Sequence, residues 1–241
     1  MSPTGSRLVS SRRDLGIAAV VVGWITVMLI TDPLSGLGAQ RALGAATWGV
    51  LLWLLRAETP LVRTQVAVVV AFATAVEYTF SLWLKVYVYR LGNIPVFVPP
   101  GHGLVYLCAL AFGRALIVHR WRVPLLALTL VAGAWYALWG LLGNDRVDML
   151  GAFWFCCLVA FLTRGRSRLL YVGLFAVVTY LELLGTWRGV WEWQPLDPTG
   201  LIGIGNPPSG VAGGYGWFDL AALTAAPALL RAWERRTRTS S

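Results

Sequence analysis

Eight stretches of 17 to 23 mostly apolar residues follow one another along this chain, at 15–32, 37–55, 64–86, 102–119, 123–142, 147–163, 168–187 and 212–231. About 20 such residues, wound into a helix, cross the roughly 30 Å hydrocarbon layer of a bilayer. Spanning backbone must satisfy its own polar groups, which leaves helices or closed barrels, and runs this long and continuous are helical. The expectation is an all-α polytopic transmembrane helical bundle of about 8 spans, one integral membrane domain over 1–241. Residues 1–14 and 232–241 are expected to be its tails.

Composition supports this. Charged residues make up 13% of the chain and hydrophobic ones 57%, against about 25% charged in a soluble domain. That balance disfavours disorder, collagen-like repeats and a soluble nucleic-acid binder. Cys108, Cys156 and Cys157 lie inside apolar runs and offer neither a disulfide framework nor a zinc pattern. Two histidines, His102 and His119, are too few for a haem bundle or a histidine-rich metal centre. Neither a cofactor nor a metal is expected.

The net charge of +9 becomes informative once it is divided across the eight stretches. The N-terminus, the second, fourth and sixth loops and the C-terminus hold fifteen basic and three acidic residues; the opposite side holds five basic and eight acidic ones. The two sides therefore carry +12 and −3, and the positive-inside rule places both termini in the cytoplasm of a bacterial-type inner membrane. The arginines are topology signals with contacts to anionic lipid, not a nucleic-acid patch.

An internal repeat is also legible. Arg63 precedes Glu77 by 14 residues and Arg168 precedes Glu182 by 14, an offset of 105 for both pairs. A Pro-Pro pair follows each glutamate, at Pro99-Pro100 and Pro207-Pro208, and Asp32 after the first stretch corresponds roughly to Asp145 after the fifth. Two halves are expected, about 15–119 and 123–231. Because each holds an even number of spans, they form a parallel pair about an axis along the membrane normal.

Glu77 and Glu182 are the candidate catalytic groups. Fourteen helical residues beyond a cytoplasmic arginine is about 21 Å, two thirds of the way across the hydrocarbon. A carboxylate there is costly, by about 2.5–3.5 kcal/mol, and faces the bundle interior or a wet cavity. Two neighbouring carboxyl groups suit one acid and one base. The competing reading makes each a protonated interhelical hydrogen-bond donor, or the partner of an arginine such as Arg188.

His102, between two glycines at the start of the fourth stretch, is the third candidate for proton transfer. The Pro/Gly-rich segments after the glutamates carry the candidate substrate-binding residues: Lys85, Arg90 and Asn93 in the first, Trp187, Arg188, Asn206, Tyr215 and Asp219 in and around the second. Arg90 and Arg188 are expected to hold an anionic head group. Trp187, Trp191, Trp193 and Trp217 fall where an outer aromatic belt is expected.

No phosphate-binding loop, nucleophile elbow, zinc-binding helix motif or dinucleotide fingerprint is present. The stretch Glu182-Leu-Leu-Gly-Thr-Trp-Arg-Gly-Val-Trp-Glu-Trp resembles segments of membrane-embedded isoprenoid and carotenoid enzymes over about a dozen residues, but the paired acidic motif of such cyclases is missing. The leading expectation is an enzyme using acid/base chemistry on a lipidic or isoprenoid-linked substrate near the outer leaflet. A proton- or cation-coupled carrier and a non-catalytic subunit of a cell-envelope complex are the alternatives. Expected partners are membrane lipids, that substrate, and other subunits in a homo- or hetero-oligomer, with no nucleic acid.

Overall fold

The computed structural model describes residues 3–239, and the side chains of 3–10, 234 and 237–239 fall outside that description. Arg7, Glu234 and Arg238, which enter the charge division above, are among those side chains. Helix takes up 76% of the chain. In order, the helices are α1 (Pro3–Thr31), α2 (Leu37–Leu55), α3 (Pro60–Glu77), α4 (Val98–Arg114), the short α5 (Leu116–Arg120), α6 (Arg122–Leu142), α7 (Met149–Arg164), α8 (Arg168–Trp187) and α9 (Ala212–Thr239). Two three-residue strands, β1 (Tyr87–Tyr89) and β2 (Trp191–Trp193), form the only sheet among the described residues.

Among the described residues, four helical segments are long and apolar enough to cross a membrane: Ser11–Leu34, Pro60–Trp83, Arg122–Leu142 and Arg168–Trp187. The tails expected at 1–14 and 232–241 are helical where described, as extensions of α1 and α9.

Local chemistry sets the helix ends. Thr59 caps α3 by accepting from the Val62 N–H, and Pro60 follows at the first helical position. Asp148 caps α7 through the Gly151 N–H. The end of α3 departs from regular geometry immediately after Glu77, where Tyr78–Trp83 make a π-helical turn closed by Leu84 N–H to Thr79 C=O. Such turns re-aim side chains at functional sites. Lys85 then takes a left-handed backbone, φ 50°, and the chain reverses into β1.

α4 lies at the centre, buried from His102 to Ala109, and packs along α8, α1 and α3. α9 packs along α3 and α7. The periphery is inverted relative to a soluble protein. On α6, Leu128, Val131, Trp135, Leu138, Trp139 and Leu142 point outward, while the buried positions are Thr129, Gly133, Ala137 and Gly140. Small residues inward and large apolar ones outward is the pattern of helices that approach closely within lipid.

The two strands pair antiparallel, Tyr87 opposite Trp193, Val88 opposite Glu192 and Tyr89 opposite Trp191. Arg146 fastens the ribbon by donating to the Trp193 carbonyl and pairing with Glu192. Beyond it, Asp197 gathers the Thr199, Leu201 and Ile202 N–H groups.

At the other end of the bundle, Arg114 donates to both oxygens of Glu58 and to Asp14, and Arg13 also pairs with Glu58. Buried Glu58 thus ties α1, the α2–α3 turn and α4 together. Glu58→Gln leaves two arginines short of a partner. Because both are partly exposed, the expected cost is about 2–3 kcal/mol, seen as a fall in Tm of about 5–10 °C in detergent. The Asp197 turn responds to pH. The Ile202 N–H, then the Thr199 hydroxyl, hold this carboxyl below its ordinary range. Its stabilisation is therefore complete above the unfolded value near pH 3.9 and is lost as pH falls through the lower folded value. Protection factors of the Leu201 and Ile202 amides should drop below about pH 4.

Candidate functional site

Glu77 ends the regular part of α3 and is 5% exposed. Its Oε1 lies 2.9 Å from His102 Nε2, and its Oε2 accepts from the Tyr89 hydroxyl at 2.8 Å. The matching arrangement surrounds Glu182 on α8, 3% exposed. Its Oε2 accepts from two indole N–H groups, Trp191 at 3.0 Å and Trp193 at 3.1 Å, and its Oε1 from the Tyr215 hydroxyl at 3.4 Å. Each glutamate is therefore held by aromatic donors from the strand that follows it and by a ring from the start of the next long helix.

Both sites open on one cavity of about 270 Å³, lined by Glu77, His102, Glu182 and Tyr215 and otherwise almost wholly by apolar and aromatic side chains. No Lys or Arg is among its lining residues. The His102 ring rests 5.0 Å from Tyr215 and edge-on to Phe218 at 5.4 Å. Burial, with the Glu77 charge next, pushes the Tyr87 and Tyr89 phenols well above the ordinary tyrosine range, so both stay protonated and can donate. Phe72 on α3 and Trp217 on α9 line the cavity and are also exposed, 42% and 46%.

One glycine makes this geometry possible. A Cβ on Gly185 would run into the Trp191 ring, so only glycine lets the indole lie against α8 and reach Glu182 one turn back.

Of the sequence-derived candidates, Glu77, Glu182, His102 and Tyr215 come together at the cavity and the rest lie elsewhere. Arg90 donates to the Asp32 carbonyl at 2.6 Å and the Ser35 carbonyl at 2.9 Å, and pairs with the Asp32 carboxylate. Asn93 donates to Gln40, which in turn donates to Asp32. These groups fasten the β1–α4 loop to the α1–α2 turn and occupy the Arg90 guanidinium. Arg188 sits 5.7 Å from the Trp187 ring and reaches the Ile30 carbonyl, and Trp187 itself is 75% exposed. Lys85 is exposed at the turn. Asn206 positions the site from outside it, accepting from the Trp193 N–H. Asp219 is buried one helical turn beyond Tyr215 and does not line the cavity.

Sequence reading placed Trp191 and Trp193 in an outer belt. Instead they are buried and bind Glu182, because a carboxylate in an apolar bundle needs donors and an indole supplies one without adding charge. The signal was present in Tyr-Val-Tyr and Trp-Glu-Trp, whose alternation puts two aromatics on one face of a strand after each glutamate.

The chain matches no family model, no curated protein and no solved structure.

Trp191→Phe and Trp193→Phe each delete one donor to Glu182 and should cost about 1.5–3 kcal/mol. Thermal unfolding in detergent measures this, and the cost should shrink in a Glu182→Gln background, where the acceptor is uncharged.

Proposed function

We propose that this chain is an eight-span integral membrane enzyme that moves protons on a neutral, largely hydrocarbon substrate of the isoprenoid type. The carrying observation is the buried Glu77–His102 hydrogen bond at 2.9 Å facing Glu182 across a cavity without cations. The Glu77–His102 pair holds a proton that can be delivered to a substrate double bond. Glu182, its second oxygen held only by a 3.4 Å contact with Tyr215, is the base that removes a proton elsewhere. One proton enters the substrate and one leaves, the balance of a double-bond migration or a cyclisation. A wall of aromatic rings favours the cationic intermediate between those two events.

The lining supports a neutral substrate, since nothing in it pairs with a phosphate. The exposed outer sides of the lining residues Phe72 and Trp217 support entry from the bilayer. Eight long helices on the eight apolar stretches, with the outward apolar face of α6, support the span count. Both termini then lie in the cytoplasm of a bacterial-type inner membrane.

The two-halves reading gains support from exchange. α4 packs on α8 while α9 packs on α3, and the strands at offset 104 pair antiparallel about Val88 and Glu192, as a two-fold axis through the ribbon would require. Asp148, not the exposed Asp145, matches Asp32. Each is buried in the turn before the second helix of its half and binds an outer loop, Asp148 through the Gly205 and Ser209 N–H groups.

The test is the full chain in lipid nanodiscs in D₂O, with squalene, lycopene and a neutral-lipid extract of the source membrane as probes, read by mass spectrometry. Deuterium should enter one of these lipids, and Glu77→Gln and His102→Gln should slow its entry at least 100-fold, the scale of general acid catalysis. Uptake no greater than in empty discs, together with a proton flux into liposomes that Glu77→Gln abolishes, would replace the enzyme by a carrier.

A further inference from the structure

Of the seven buried side-chain polar atoms without a protein partner among the described residues, three belong to residues of α4 and α9: His102 Nδ1, Tyr106 Oη and Asp219 Oδ2. Their residues are 6%, 0% and 2% exposed. Buried polar groups are hydrogen-bonded in more than about nine cases of ten, often through internal water. Each of the three therefore calls for a partner such as internal water.

Their spacing shows how they converge. His102 and Tyr106 are four apart on α4, and Tyr215 and Asp219 four apart on α9, so each pair shares one helix face. The upper members touch, ring to ring, at 5.0 Å. The lower members, Tyr106 and Asp219, each lie one turn, about 5.4 Å, further along their own helices. Among the described residues no cation pairs with Asp219.

We propose that Asp219 is a proton store for the site, connected through the Tyr106 hydroxyl and bridging water to His102 Nδ1. This rests on reading Glu77–His102 as the acid. After that pair has given its proton away, the Asp219 carboxyl releases one to the bridging water, and a proton arrives at Nδ1. The imidazolium formed passes its Nε2 proton to Glu77. One proton enters the ring and one leaves it, and Asp219 is refilled from solvent once product has gone. Asp219 thus acts through His102 as a positioning and relay residue. The other titratable groups facing His102 are Glu77 from α3, Tyr89 from β1, Glu182 from α8 and Tyr215 from α9, and all of them lie on its Nε2 or cavity side.

The chain has two histidines, so ¹⁵N-histidine labelling of the full protein in nanodiscs gives separable signals for His102 and His119. In Asp219→Asn the protonated-to-bare ratio at His102 Nδ1 should fall about tenfold at neutral pH, equivalent to one pKa unit of lost coupling. Tyr106→Phe removes only a hydroxyl, keeps the ring and should produce the same change, which guards against misfolding of the aspartate variant. His119 should be unmoved in both. If the His102 signals of a folded Tyr106→Phe and Asp219→Asn superpose on the wild type, the store is overturned and Asp219 is a packed neutral acid. Deuteration of lipid with unmoved His102 signals sinks the store alone. A moved Nδ1 without any deuteration sinks the proposed reaction and leaves the store standing.

Discussion

Two carboxyl groups buried at one largely apolar cavity are the constraint around which this structure is organised. An unpaired carboxylate there would cost several kcal/mol. The chain meets that demand with phenols, indoles and an imidazole, not with arginine. Neutral donors satisfy the oxygens while leaving the carboxylates chemically usable, because an arginine would hold a carboxylate permanently ionised. The β1–β2 ribbon follows from this need. A helix cannot turn two successive aromatics back onto its own glutamate, but a strand presents alternate side chains on one face, and pairing the two strands brings both sets of donors to one cavity.

The remaining architecture holds that ribbon in place. Asp32 and Asp148 are buried and bind the loops that flank it, the first through Arg90 and the second through backbone amides. Gly185 gives up a side chain so that Trp191 can lie flat on α8. At the far end Glu58 gathers Arg13 and Arg114. Charge is thus kept at the two ends of the molecule and in the cavity, while helix contacts between them rely on small residues such as those on the inner face of α6.

Much of the layout is legible from residues alone. The boundaries 37–55 and 168–187 coincide with α2 and α8, even though Arg41 with Gly44 interrupts the apolar run of the first. Glu77, Glu182 and His102 stood out because an ionisable group in an apolar run has few structural uses. Arg90, Arg188 and Trp187 also stood out by chemical type, yet they belong to loop anchoring and the exposed surface. A guanidinium looks the same in sequence whether it awaits a ligand or is already closed on Asp32, 58 residues away. Tyr106 gave no signal, being one more aromatic in an apolar helix.

Sequence by itself determined the helices and their apolar character, because these depend on composition and on a regular helical repeat. Only the tertiary structure decided that Glu77 and Glu182 face one cavity, which aromatics serve them, and that the cavity holds no cation. Those facts depend on side chains 9 to 33 residues apart, or in opposite halves, meeting in space. Hydrophobic pattern governs which face of a helix is buried, but partner choice within the core follows from packing, which no local pattern encodes.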